Sequence, residues 1–152
     1  MLAAIQRFLA TDRFAMVGVS HAPAEFSRAL WREFRSRDYD VVPVNPAAAE
    51  IDGQRCYARV QDIAPPVEAA LLMTPASVTP EVVRDCAAAG IKLIWMYRAG
   101  GAGAVSEEAA SFCAAHGIAV IPGECPFMFL EHAGWIHRAH GFVRRITGRY
   151  PS

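Results

Sequence analysis

The 152-residue chain has no net charge, no closely spaced cysteines and no apolar run of membrane length, and each lack narrows what it can be. Fifteen basic side chains balance fifteen acidic ones, so the chain as a whole exerts no pull on nucleic acid or on an anionic bilayer. The local exception is C-terminal, where the charged residues from Ile136 onward are Arg138, Arg144, Arg145 and Arg149. The four cysteines, Cys56, Cys86, Cys113 and Cys125, stand 30, 27 and 12 residues apart. That spacing leaves no C-x-x-C pair for zinc or redox chemistry. Scattered thiols and an opening, MLAAIQRFLATDRF, without the basic flank and apolar length of a signal peptide predict a cytoplasmic protein. No stretch reaches the length that spans a bilayer.

Recognisable catalytic motifs are missing as well. There is no nucleophile elbow, Walker A loop or H-E-x-x-H, so no catalytic residue is assigned. His137 and His140 are three apart and share a helix face, but His132 lies five before His137 and points elsewhere. Two imidazoles without a neighbouring cysteine do not make a metal set, and no metal is expected. The dinucleotide fingerprint G-x-G-x-x-G is absent too, its glycines replaced by Ser20 and Ala22-Pro23.

What is present is an apolar chain, 53% hydrophobic and 20% charged, a balance that excludes disorder and suits strands covered on both faces. Its length predicts one domain, 1–152, burying about 70% of the surface its unfolded chain exposes. Helical spacing puts Ile5, Phe8 and Leu9 on one side of a helix over 3–10, whose expected role is to cover a sheet edge. Phe14 to Val17 with Val19 predicts a first strand, Val41 to Val44 a second ended by Asn45-Pro46, and Ala69 to Met73 a third. Ile91 to Tyr97 and Ile118 to Ile121 predict a fourth and a fifth. Between them come helices begun near Ala24 to Ser27, at Thr79-Pro80-Glu81 and at Ser106-Glu107-Glu108. Residues 47–62 read as irregular, and a final helix is expected over His132 to Ile146 with Trp135, Ile136, Phe142, Val143 and Ile146 on one face.

Strands spaced by roughly 20 to 27 residues with helices between them are the parallel βαβ repeat. The expected fold is α/β: a doubly wound, five-stranded parallel sheet of Rossmann type, order 3-2-1-4-5, with extra N- and C-terminal helices. The core covers 12–126 and a helical extension 127–152. In such a sheet the ligand crevice lies beyond the strand C-termini at the point where strand order reverses, here between strands one and four. Gly18 lets the backbone approach a ligand, Ser20 and Ser27 supply hydroxyls, and the following helix start aims unpaired N–H groups at the turn, which makes an anion site. An NAD site wants a carboxylate at the end of strand two. This chain has Asn45, followed by Pro46, which removes a repulsion against a phosphorylated ribose.

V-G-V-S at 17–20, Ser27, V-V-P-V-N-P at 41–46, G-x-x-C-Y at 53–57, Trp95-Met96, Ser106-Glu107-Glu108-Ala109 and Cys125-Pro126 together resemble the stand-alone CoA-binding domain family. That Rossmann-type family is related to the CoA-binding part of succinyl-CoA synthetase α-subunits. The resemblance implies binding of coenzyme A or acyl-CoA through its 3′-phosphoADP moiety, and the missing catalytic motifs make a non-catalytic role the expectation. Gly18, Val19 and Ser20 would line the pyrophosphate turn, Ser27 and Arg28 the helix start, Val44, Asn45 and Pro46 the adenosine side, and Thr74, Pro75, Ala76 and Met96 the far wall. Many members carry Arg where this chain has Thr74 and Gln where it has Tyr97, which leaves Arg28 or Arg98 to meet the phosphates. Two other functions stay open. One is an NAD(P)-dependent oxidoreductase or redox sensor using Tyr97, Cys125 and the histidines. The other is one subunit of a split acyl-CoA synthetase, whose partner would be an enzyme. An aromatic-rich C-terminal helix also suits a homodimer.

Overall fold

A computed structural model describes residues 1–130, and the expected helix over His132 to Ile146, with His132, His137, His140, Arg144 and Arg145, lies outside them. In chain order the elements are α1 (Leu2–Leu9), β1 (Arg13–Val17), α2 (Phe26–Arg35), β2 (Asp40–Val44), the short pair β3 (Glu50–Ile51) and β4 (Gln54–Arg55), β5 (Ala69–Leu72), α3 (Thr79–Ala88), β6 (Leu93–Met96), α4 (Glu107–Ala115) and β7 (Ala119–Pro122). Short 3-10 turns follow β4 at Val60–Asp62 and β7 at Pro126–Met128.

The main sheet has five strands in the order β2-β1-β5-β6-β7, all parallel. Val17 lies opposite Val44 on one side and Leu72 on the other, so the C-terminal ends of β1, β2 and β5 are level. The outer edge of β2 is occupied by Tyr57, which makes a parallel bridge with Val44. Its N–H donates to the Pro43 carbonyl, and its own carbonyl accepts from Asn45 N–H. Tyr57 is thus a third strand reduced to one residue, and with it the order is 3-2-1-4-5-6. The doubly wound arrangement stands as expected, but the third position is filled by Tyr57. Ala69–Leu72 takes the fourth, because the outer edge of β2 is already paired. The reversal of strand order therefore falls between β1 and β5, not between β1 and the strand at 93–96.

Alternation along the strands builds a core on each face. On one face Phe14 and Met16 of β1, Leu71 of β5 and Trp95 of β6 pack with Ile5 and Phe8 of α1 and with Leu30, Trp31 and Phe34 of α2. On the other, Ala15, Val17, Leu72, Ile94 and Met96 pack with Val83 and Cys86 of α3 and Ala109 and Cys113 of α4. α1, expected to cover a sheet edge, lies against the edge strand β7. Phe8 meets Phe14 at 4.8 Å between ring centroids and Trp95 edge-on at 5.4 Å. Each such fully buried ring is worth roughly 1.5–3 kcal/mol relative to exposure. The two buried indoles are also pinned by their N–H groups, Trp31 to the Val41 carbonyl at 3.1 Å and Trp95 to the Gly123 carbonyl at 3.0 Å. The stretch expected to be irregular holds the β3–β4 hairpin, whose turn residues Asp52 and Gly53 both have positive φ, 47° and 79°. Asp-Gly in that conformation is the preferred two-residue hairpin turn.

Candidate functional site

Gly18 follows β1 with φ +92°, and a Cβ there would stand 3.1 Å from the Met73 carbonyl carbon and 3.2 Å from both Met73 O and Thr74 N. Glycine is required because the chain leaving β1 touches the chain leaving β5. That contact forms a saddle at the point where strand order reverses, with a concavity on each side of it.

The turn beyond the saddle has its carbonyls drawn back into the protein. Asn45 Nδ2 donates to Val19 O at 2.9 Å, and Arg28 Nη1 donates to Ser20 O at 3.2 Å and His21 O at 3.1 Å. Two of its amides are held by hydroxyls: Ser20 N–H donates to Ser27 Oγ at 2.9 Å and Ala22 N–H to Ser20 Oγ at 3.0 Å. A serine oxygen that accepts from an amide still carries a proton to donate. Ser20 and Ser27 therefore present O–H groups beside the start of α2, while the oxygens that would repel an anion face away. This donor set fits a phosphate or diphosphate.

Arg28 is consumed in holding this shape. It is 3% exposed, and besides the two carbonyls its Nη2 pairs with Asp52 on the β3–β4 turn, while Nε is buried without a partner. Asp52 also accepts from Arg32 Nε at 3.1 Å. The hydrogen bond from Arg32, aided by the charges of Arg28 and Arg32 and opposed by partial desolvation, holds the Asp52 carboxyl below its ordinary value. The hairpin thus acts on the 18–22 turn through one buried guanidinium, whose η nitrogens are engaged in bracing that turn. Arg98 packs its guanidinium over Gly123 and lines neither concavity.

The first concavity, about 440 Å³, is lined by Gly18, Ser20, Ser27, Phe26, Met73 and Tyr97, with Glu25, Thr74 and Pro75 at its edge. The second, about 300 Å³, is a more apolar slot between Val44 and Pro46 at the tip of β2, Val60, and Val78 and Val82 of α3. Its charged lining is Arg59, Glu81 and Asp85. Asp85 accepts from Arg59 at 2.8 Å and from Gln61 at 2.7 Å, so one of the two carboxylates is already neutralised.

Of the residues expected at the site, Gly18, Ser20, Ser27, Val44, Pro46, Thr74 and Pro75 line one or both hollows. Asn45 acts from behind as a pin, its Oδ1 also accepting from Ala47 N–H at 2.8 Å. Thr74 touches both hollows, but its hydroxyl bonds Thr79 Oγ1 at 3.1 Å at the start of α3. Val19 is fully buried beneath the turn, Met96 is fully buried in β6, and Ala76 borders neither hollow. Phe26, Tyr97 and Arg59 were not singled out as CoA contacts. The signal for Phe26 was an aromatic residue at the first position of an exposed helix start; for Arg59 the pattern offered none.

Cys125 is 6% exposed, and burial pushes its thiol up. Burial also pushes the Tyr97 phenol up to about 12, with Cys125 adding to the effect. Both are neutral at physiological pH. The other three cysteines are buried with raised thiols as well. Among the described residues no group of three or more His, Cys, Asp or Glu side chains could hold a metal ion.

A doubly wound parallel sheet with a braced glycine turn where its strand order reverses defines a domain of the Rossmann class. The chain belongs to the CoA binding domain family, whose profile matches residues 12–131. It is 28% identical over 78 residues to an ADP-forming acetate–CoA ligase from Methanocaldococcus jannaschii, a match that covers 51% of this chain and 11% of the ligase. This chain thus spans only about a tenth of that relative. A hypothetical protein from Pyrococcus horikoshii superposes with a TM-score of 0.76 at 26% identity, over 83% of this chain and 87% of the other. The dinucleotide-forming acetyl-coenzyme A synthetase 1 of Ca. Korarchaeum cryptofilum does so with a TM-score of 0.68 at 27% identity, over 78% of this chain and 27% of that one. No helix among the described residues is long and apolar enough to cross a membrane.

Proposed function

We propose that this chain is a cytoplasmic, non-catalytic binder of coenzyme A or acyl-CoA that recognises the 3′-phosphoADP end. The observation that carries this is the turn at 18–22, whose carbonyls are pinned inward by Asn45 and Arg28 while the Ser20 and Ser27 hydroxyls face the saddle. A diphosphate on the turn places adenosine in the slot between Val44, Pro46 and Val82, with Arg59 at its lining to meet the ribose phosphate. The pantetheine arm then leaves on the opposite side. Cys125 is buried and its thiol is pushed up by that burial, so it is no reactive thiolate, which counts against a redox-sensing role for it.

Calorimetric titration tests this with three ligands. CoA is expected to bind most tightly, 3′-dephospho-CoA more weakly and NAD most weakly; no heat with any CoA species refutes the proposal. A second function, one subunit of a split acyl-CoA synthetase, is supported by the match to a segment of an ADP-forming ligase. Co-purification of a separate ATP-grasp chain distinguishes it from a free-standing binder.

A further inference from the structure

Each backbone carbonyl from Val19 to Pro23 has a donor within the protein. Val19 O accepts from Asn45, and Ala22 O accepts from Glu25 N–H at 3.2 Å. The other three depend on two arginines of α2: Arg28 Nη1 donates to Ser20 O and His21 O, and Arg32 Nη1 donates to Pro23 O at 3.1 Å. Both guanidiniums end on a single carboxylate. Asp52 Oδ1 accepts from Arg28 Nη2, and Asp52 Oδ2 accepts from Arg32 Nε at 3.1 Å.

Arg28 and Arg32 stand four apart on one face of α2, where like charges repel, and Asp52 between them turns that repulsion into a clamp. Without it, Arg32, whose side chain is 45% exposed, has only the Pro23 carbonyl to offset the rotamer entropy lost in staying put. Asp52 itself borders neither hollow, so it touches no ligand placed in them. Its bare charge acts in the opposite direction, because a carboxylate near an anion disfavours that anion. Positioning and simple electrostatics therefore call for opposite outcomes when Asp52 is replaced. Resting on the assignment of the diphosphate to the 18–22 turn in the preceding subsection, we infer that Asp52 is a positioning residue for that anion: through Arg28 and Arg32 it keeps the carbonyls of residues 20, 21 and 23 turned inward, and so raises the affinity for a diphosphate it does not contact.

The test is calorimetric titration of wild type, Asp52→Gly and Asp52→Asn with CoA and with inorganic pyrophosphate. Gly-Gly and Asn-Gly both suit the two-residue turn that Asp52 and Gly53 form, so neither variant removes the hairpin's own preference. Asp52→Gly should weaken both ligands by about tenfold, the low end of the roughly 10–100-fold that orienting partners are worth at metal centres. Asp52→Asn should weaken them by less, since its amide oxygen still accepts from one of the two arginines. Glu33→Gln is the control: it removes a carboxylate from the same helix, where Glu33 pairs with Arg37, and should leave both affinities unchanged. Thermal melts check that each variant is folded, and Asp52→Asn is read alone if Asp52→Gly is not. Equal or tighter binding when Asp52 is replaced, or an equal loss in Glu33→Gln, overturns the inference and leaves the CoA assignment standing. Binding of pyrophosphate without CoA overturns the CoA assignment, and the pyrophosphate series then decides the inference; binding of neither by wild type overturns both.

Discussion

Replacing Gly18 by alanine separates two demands that the saddle makes on one residue. The first is conformational: φ is +92°, and holding a residue with a Cβ in such a region costs of order 1–3 kcal/mol. The second is steric, since the new Cβ would meet Met73 C and Thr74 N at 3.1 and 3.2 Å. Those atoms belong to the backbone leaving β5 and cannot rotate aside. Gly90, at the end of α3, provides the control, because it has φ +80° but no atom within 4 Å of the point where a Cβ would stand. Gly90→Ala should therefore cost only the conformational part, about 1 kcal/mol. Gly18→Ala should cost about 2–4 kcal/mol, the excess being overpacking against a backbone that must shift. For a domain of this size each kcal/mol lowers Tm by about 2–4 °C, so Gly18→Ala should melt at least about 4 °C below wild type and clearly below Gly90→Ala. Urea unfolding gives the free energies directly. CoA affinity should fall in Gly18→Ala and stay at the wild-type value in Gly90→Ala. Equal destabilisation by the two substitutions would show that the chains leaving β1 and β5 do not press on each other as described.

Ser27→Ala removes the acceptor for Ser20 N–H and should cost about 1 kcal/mol of stability; in calorimetry it should also weaken CoA binding, and an unchanged affinity would take Ser27 out of the anion turn. Arg28→Met leaves Ser20 O and His21 O without their donor, and a loss of about 1–3 kcal/mol is expected in chemical denaturation because buried acceptors go unsatisfied, while Asp52 keeps its bond from Arg32. Asp52, whose carboxyl is held below its ordinary value, contributes stability that is fully present above the unfolded carboxyl pKa of about 3.9 and lost as pH falls through the lower folded value. The Asp52→Asn variant should accordingly show a shallower loss of stability below about pH 4 than wild type. Arg59→Ala should weaken CoA more than 3′-dephospho-CoA, by a few-fold, as befits an exposed charge; equal losses for both ligands would remove Arg59 from the ribose phosphate.

The fold was legible because its βαβ rhythm is written in short apolar runs closed by Gly, Pro and Asn. Phe14–Val17, Val41–Val44 and Ala69–Leu72 are strands to within a residue or two, and Ser106 caps α4 by accepting from Ala109 N–H at 3.3 Å. Tyr57 was not legible as a strand. One bridging residue has no periodicity, and its role follows from the exposed edge of β2 rather than from its neighbours in sequence. Gly18, Ser20 and Ser27, singled out from residue type and spacing at the turn between strand and helix, do line one hollow together. The use of Arg28 was not visible. A cation beside a serine-bearing turn reads as a group free to meet a ligand, and its pairing with Asp52, twenty-four residues later, is seen only in the structure. That Phe26 and Arg59 border the two hollows was not visible either, because which residues line them depends on where β5 sits.

The most direct measurement is a crystal structure of the protein soaked with coenzyme A. Diphosphate oxygens within hydrogen-bond distance of Ser20 Oγ, Ser27 Oγ and the first amides of α2, with adenine against Val44 and Val82, are the predicted result. A diphosphate bound elsewhere, or a turn at 18–22 that stays closed on its own hydroxyls at saturating CoA, would contradict it.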